Sequence, residues 1–213
     1  MRLANRIVLA SQNRDKFEEF QELLKTYPEI ELVRVDEVLR NPSGLKGAEK
    51  FDHYVENAAA KARLVNQGSH YPTLADDSGL EVLSLEGKPG VRSQRYAPPR
   101  AGMSQDQANI AYLLENLKER KRPEEREARF VCHLALLIEG LMIQSVGTLE
   151  GTIIDHPRGE HGFGYDSIFV PRGSNKTLAE MTSAEKNAIS HRAKALASLM
   201  ATVRQHGIVF AKP

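Results

Sequence analysis

The stretch TLADDSGLEV, residues 73–82, sets two carboxylates side by side: Asp76 and Asp77 lie between apolar, strand-like runs at 73–75 and 80–83, with Ser78 and Gly79 after them. Asp, Ser and Gly all favour turns, so one reading is a strand that ends here. The other reading has one Asp facing a cleft, where a carboxylate can hold a metal or position a water. Neighbouring side chains of a strand point to opposite faces, so the pair cannot simply share one surface.

Three further stretches carry polar groups in suggestive places. SQNRDK, residues 11–16, falls between a short apolar strand and a helix, and free N–H groups at a helix start attract anions. Ser11 and Asn13 add short polar groups and Lys16, in the first turn, could reach a phosphate; a capped helix with a solvated lysine explains the same residues, and the G-x-x-x-x-G-K-[ST] loop is absent. In HGFGYDSIFV, residues 161–170, Phe163 stands between Gly162 and Gly164, leaving a ring face open to stack on a base or sugar, or else turned into the core. Asp166 could accept a hydrogen bond or assist a metal, and Tyr165 reads as packing. EKNAISHRAKAL, residues 185–196, places Lys186 in a first helical turn, where a cation opposes the dipole, and His191 and Arg192 beyond it as donors for carbonyl or phosphate oxygens; each alone is also compatible with a plain polar face. No H-E-x-x-H, G-x-S-x-G or catalytic cysteine signature is present.

The background chain is ordinary. It has 213 residues, 41% hydrophobic and 27% charged, with a formal net charge of +1. That suits one globular domain and calls for neither nucleic acid nor a membrane surface, so an anionic ligand must be met by local cations. One cysteine, Cys132, sits in an apolar run and reads as a small buried hydrophobe in a reducing compartment. No secretion signal and no membrane-length apolar run is visible, which points to the cytoplasm.

The elements that must position these groups alternate. Strands are expected at 7–10 and 31–35, a helix at 14–25, a loop at 41–47 and an Ala-rich helix at 54–67. After strands at 73–76 and 80–85 and a turn at 88–90, the capping box Ser104–Gln107 opens a helix running to about 120. Paired strands follow at 128–138 and 142–154 about Glu139-Gly140, then a short strand at 166–170. A second capping box at Thr182–Glu185 opens one last helix to about 205, with Ile189, Ala193, Leu196, Met200 and Val203 on its core face. The pattern is α/β with a mixed sheet.

A phosphate cradle, paired acids, an open aromatic and a Lys/His/Arg helix are the parts a nucleoside triphosphate needs. With ASQNRDKFEEF, NAAAKAR, TLADDSGLEVLSLEGKPGVRSQRYA, GFGYDSIF and EKNAISHRAKAL in order over most of the chain, the sequence resembles the inosine triphosphate pyrophosphatase family, house-cleaning enzymes for non-standard purine nucleotides. The resemblance implies Mg²⁺-dependent hydrolysis of ITP, dITP or XTP to the monophosphate and pyrophosphate. It implies an elongated two-lobed α/β fold, residues 1–213 as one domain, around a mixed twisted sheet with flanking helices, the nucleotide in the cleft between lobes, and a homodimer. It makes Asp77 the proton acceptor and a metal ligand, with Ser78 on substrate. It assigns Ser11, Gln12, Asn13, Arg14, Asp15, Lys16, Lys61 and Lys186 to the triphosphate, and Phe163, Gly164, Tyr165, Asp166, His191 and Arg192 to the nucleoside. Glu49 is the nearest match to the family's second metal ligand, with Glu56 the other local choice. Gln94 and Ser167 depart from the family's usual Ala and Pro. A related pyrophosphatase for pyrimidine or modified nucleotides, or a non-catalytic nucleotide-binding protein, remains the alternative.

Overall fold

A computed structural model describes residues 2–3 and 5–210. The chain begins with β1 (Arg2–Leu3) and β2 (Arg6–Leu9), continues into α1 (Arg14–Leu24) and β3 (Glu31–Arg34), and then forms two single-turn helices, α2 (Val35–Val38) and α3 (Leu45–Ala48). The expected loop at 41–47 is therefore partly helical: a 3-10 turn, Pro42–Gly44, leads into α3. Next come α4 (Tyr54–Ser69), β4 (Thr73–Val82), α5 (Gln105–Asn116), β5 (Glu127–Ile138), β6 (Leu141–Ile153), β7 (Phe169–Pro171), α6 (Ser183–Ile189), α7 (His191–Gln205) and β8 (Val209–Phe210). Six strands form one sheet in the order β3-β2-β4-β5-β6-β7, and β1 pairs with β8 separately. β2 runs parallel to β3 and β4, while β7 runs antiparallel to β6, so the sheet is mixed and the fold is α/β as expected. Among the described residues no helix is long and apolar enough to cross a membrane.

The chain divides into two compact units. The first comprises Met1–Asp77, Cys132–Gly147 and Arg192–Pro213; the second comprises Ser78–Val131 and Thr148–His191. In the first, the pleat sorts side chains into two cores. Ile7, Leu9, Leu74, Leu134 and Leu136 pack with Phe20 and Leu24 of α1 and with Ala195, Leu196 and Leu199 of α7. Their neighbours Val8, Ala10, Ala75, Ala135 and Leu137 pack with Ala58, Ala62 and Val65 of α4. The sheet is thus covered on both faces here, which is why residues 7–10 read as an unbroken apolar run.

In the second unit Leu80, Val82, Ala128, Phe130, Leu149, Ile153 and Phe169 pack with Leu113 of α5 and with Leu117 just after it. The Ser104–Gln107 capping box opens α5 as expected, but the helix ends at Asn116. Glu139 and Gly140, with φ of 45° and 84°, make the two-residue hairpin turn between β5 and β6; positive φ at both central residues is what a type I′ turn requires.

Three further expectations change. Residues 76–79 are not a turn: β4 passes unbroken through Asp-Asp-Ser-Gly. The strand expected at 166–170 is a 3-10 turn, Asp166–Ile168, followed by β7. The last helix is two helices, because buried Ser190 takes an extended conformation (φ −62°, ψ 152°) that ends α6 and lets α7 start at His191. Leu196, Met200 and Val203 are buried on α7, whereas Ile189 joins the core of the second unit.

Candidate active site

The alternation that sorts the first unit's core also separates its acids. Leu74 faces α1 and α7, and Ala75 faces α4. Two residues on, Asp76 repeats the first direction and Asp77 the second, and each meets cations from the helix or helices on its own side.

Asp76 is completely buried. Its Oδ2 lies 3.1 Å from Lys16 Nζ of α1 and 3.1 Å from Arg192 Nε at the start of α7. Arg192 Nη1 reaches Glu19 Oε2 at 2.9 Å, one turn after Lys16 on α1. Cys132 Sγ donates to Asp76 Oδ1 at 3.5 Å. Burial alone would push the Asp76 carboxyl up, but Lys16, Arg192 and Lys61 outweigh it and hold the group well below the usual carboxylate range. Burial, reinforced by the Asp76 charge, pushes the Cys132 thiol up, so it is an inert small side chain.

Asp77 is gripped differently. Lys61 Nζ of α4 donates to Asp77 Oδ1 at 2.9 Å, to Glu49 Oε1 at 2.8 Å and to the Asp76 carbonyl at 2.7 Å. Asn57, one turn before Lys61, donates from Nδ2 to Asp77 Oδ2 at 3.1 Å. Here burial prevails over the attraction of Lys61 and Lys16, the Glu49 charge adds to it, and the Asp77 carboxyl is raised. Burial would lower Lys61, but Asp77, Glu49 and Asp76 outweigh it and keep the ammonium charged. One acid of the pair is therefore locked as a carboxylate and its neighbour is made more basic. Glu19, Glu49, Asp76 and Asp77 are thus paired with Lys16, Lys61 and Arg192.

The second unit carries its own cluster. Asp166 Oδ2 accepts from Lys186 Nζ at 2.8 Å and from the Phe163 N–H at 3.0 Å, and Lys186 Nζ stands 5.1 Å from the centre of the half-buried Phe163 ring. Asp106, at the start of α5, accepts from the Gly164 N–H at 2.8 Å. Gly162 has φ of 75°, and a Cβ there would come within 2.2 Å of Asp166 Oδ2, so this loop requires glycine. Tyr165 is a packing residue whose hydroxyl donates to the Ser93 carbonyl at 2.9 Å, and burial pushes its phenol up. His191, 1% exposed, stacks on Phe130 with ring centres 4.8 Å apart.

The predicted residues thus fall into distinct settings. Lys16, Glu49, Lys61, Asp77 and Arg192 come together around β4, and Ser78 follows half-buried on the same strand. Phe163, Asp166 and Lys186 come together in the loop cluster, with Gly164 tied to Asp106 beside them. Asn13 caps α1, accepting from the Lys16 N–H at 3.0 Å, and the Ser11 hydroxyl accepts from the Asn13 N–H at 3.2 Å. Gln12, Arg14 and Asp15 are exposed, and Arg14 pairs with Glu18 at 2.8 Å. Glu49 shares Lys61 with Asp77, while Glu56 is exposed. The guanidinium of Arg192 is held by Asp76 through Nε and by Glu19 through Nη1. Sequence reasoning missed Glu19, Asn57 and Asp106; for Asn57 a signal existed, an amide four residues before Lys61 in an otherwise Ala-rich helix.

The protein is thus an α/β protein whose mixed sheet carries buried acids paired to lysines. The Ham1 family model matches residues 7–202, and the chain belongs to that family. It is 42% identical over 204 residues to a dITP/XTP pyrophosphatase of Frankia alni, covering 94% of this chain and 98% of that protein. It is 42% identical over 196 residues to a dITP/XTP pyrophosphatase of Bacillus subtilis, covering 90% and 93%. Among solved structures, a HAM1 protein from Coxiella burnetii superposes with a TM-score of 0.78 at 38% identity, covering 94% of this chain and 98% of that one.

Proposed function

We propose that this chain hydrolyses non-standard purine nucleoside triphosphates, dITP, XTP and ITP, to the monophosphate and pyrophosphate, with Mg²⁺ as cofactor. Relatives bearing the name dITP/XTP pyrophosphatase match it at about 40% identity over nearly its whole length. The geometry that carries the reading is the asymmetry of the adjacent acids: Asp76 is neutralised by two cations, while Asp77 is made more basic beside Glu49.

Among the described residues no three His, Cys, Asp or Glu side chains form a metal cage. Glu49 and Asp77 instead bring two carboxylates together at one ammonium, that of Lys61. That fits Mg²⁺, which keeps several waters and binds through one or two carboxylates plus substrate phosphates. When bound there, Mg²⁺ would neutralise phosphate charge. Asp77 accepts the proton of a water whose oxygen attacks the α-phosphorus; the bond from that phosphorus to the bridging oxygen breaks, and pyrophosphate leaves with the bond electrons. Lys61 holds the Asp77 carboxylate in one orientation, and Lys16 meets the triphosphate tail by exchanging Asp76 for a phosphate oxygen. Phe163 stacks on the purine, with Asp166 fixing its loop and Lys186 beside the ring.

The family resemblance further supports a homodimer, and the single inert cysteine suits the reducing cytoplasm. A panel of ITP, dITP, XTP, GTP, ATP and pyrimidine triphosphates, each scored for pyrophosphate release with Mg²⁺, tests the reading. Preference for the deaminated purines is expected; equal or better turnover of pyrimidine nucleotides would overturn the substrate class.

A further inference from the structure

Asn57 is fully buried and uses its whole amide. Oδ1 accepts from the Phe51 N–H at 3.0 Å, while Nδ2 donates to the Phe51 carbonyl at 3.0 Å and to Asp77 Oδ2 at 3.1 Å. Both Nδ2 protons are thereby engaged, and the amide orientation is set, because only the oxygen can accept from the Phe51 N–H. Phe51 lies two residues after Glu49, so one side chain ties the segment carrying Glu49 to the strand carrying Asp77. Lys61, one turn further along the same face of α4, forms a second tie between the same two partners, through Glu49 Oε1 and Asp77 Oδ1. The two oxygens of Asp77 are thus divided, one to each tie, which fixes the plane of the carboxylate.

We propose that Asn57 is a positioning residue that builds the Glu49–Asp77 cation site, holding both carboxylates at the geometry in which they bind a divalent ion together. The inference rests on the pyrophosphatase reading for its catalytic consequence, but its metal-binding consequence stands apart from it. Asn57 does not touch the ion; it acts through Asp77 and the 49–51 segment. Outer partners of this kind orient metal ligands, and their loss lowers metal affinity by roughly 10–100-fold. A residue that merely stapled the start of α4 would affect stability and leave metal affinity unchanged.

The test uses the full chain and Mn²⁺ as the probe, with free ion counted by electron paramagnetic resonance. Asn57→Ala removes all three hydrogen bonds. Asn57→Asp keeps an acceptor for the Phe51 N–H but loses both donations and sets a like charge against Asp77. Both variants should bind Mn²⁺ about 10–100-fold more weakly than wild type. For ITP at saturating metal, kcat should fall while KM stays within about twofold, the pattern of a lost transition-state contribution. Either variant, folded by circular dichroism and binding Mn²⁺ like wild type, would overturn the proposal. Should both variants fail to fold, Mg²⁺ titration of the ¹⁵N-labelled wild type decides: the Asn57 side-chain amide signals should shift in step with ion binding, and their constancy would overturn it. A wild type that binds Mn²⁺ but releases no pyrophosphate would sink the function while leaving the Asn57 result standing, and one that binds no Mn²⁺ would sink both.

Discussion

The adjacent acids of β4 should give opposite signatures when each is made an amide. Asp76→Asn removes the charge that Lys16 and Arg192 share at 3.1 Å each, taking from both buried cations the carboxylate between them, while Arg192 keeps Glu19. Breaking a buried ion pair from one side costs about 3–5 kcal/mol. For a chain of this length about 2–4 °C of melting temperature is lost per kcal/mol, so Asp76→Asn should melt ~6–20 °C below wild type. Asp77→Asn is milder for the fold. Lys61 keeps Glu49 and the Asp76 carbonyl, and the carboxylate it removes was already disfavoured by burial. The main loss is the hydrogen bond with Asn57 at 3.1 Å, since the new amide opposes one donor with another; an unsatisfied buried polar group costs about 1–3 kcal/mol, partly offset here by the removed charge. Activity should rank the other way. Loss of a general base lowers turnover about 10²–10⁴-fold, so Asp77→Asn should be nearly inactive while folded Asp76→Asn retains more. Scanning calorimetry and pyrophosphate release on the same preparations give both numbers. If Asp77→Asn loses as much melting temperature as Asp76→Asn, or keeps more than a tenth of the wild-type rate, the division of labour between the two acids is wrong.

Three further outcomes follow from the same geometry. Lys16→Ala should weaken binding of a slowly hydrolysed triphosphate analogue more than that of inosine monophosphate by calorimetry; equal losses would place Lys16 away from the phosphate tail. Gly162→Ala would drive a Cβ into Asp166 Oδ2 and disturb the Phe163 loop, so inosine monophosphate should bind at least about tenfold more weakly, or ~1.4 kcal/mol, and unchanged affinity would remove that loop from nucleoside binding. The stability that Asp76 contributes should depend on pH with a definite sign. Its folded-state pKa lies below the ordinary 3.8, so the contribution is complete above that value and is lost as pH falls towards the folded value. Asp77 is raised and has the opposite sign, its ionised form costing stability that protonation relieves. In urea unfolding without divalent metal, the gap between wild type and Asp76→Asn should shrink as pH drops below about 4; a gap that widens would contradict the assignment.

Much of this was readable along the chain, and what was not has physical causes. Asn13 before α1 and both Ser/Thr capping boxes announced helix starts because a cap is a local device whose partners lie within four residues. Asp-Asp-Ser-Gly carries strong turn signals, yet it continues a strand, because β4 is covered on both faces and tertiary packing overrides local preference. Once the strand is continuous, alternation alone predicts that Asp76 and Asp77 part company. The break at Ser190 has neither glycine nor proline to mark it, so one long helix was the natural expectation. Glu19 gains its meaning only from Arg192, 173 residues away, and Asn57 from Asp77, 20 residues away. No periodicity encodes such pairings. Glu49 was suggested by resemblance and gains a physical reason only from Lys61, which it shares with Asp77.

The proposed reaction has water attacking the α-phosphorus of a non-standard purine triphosphate with Asp77 as base. A single measurement addresses it: hydrolysis of ITP with Mg²⁺ in ¹⁸O-labelled water, followed by ³¹P NMR. Pyrophosphate is expected as the first product, with one ¹⁸O on the phosphorus of inosine monophosphate. Label in the pyrophosphate would mean attack at the β-phosphorus, and orthophosphate with inosine diphosphate would mean attack at the γ-phosphorus; either result contradicts it.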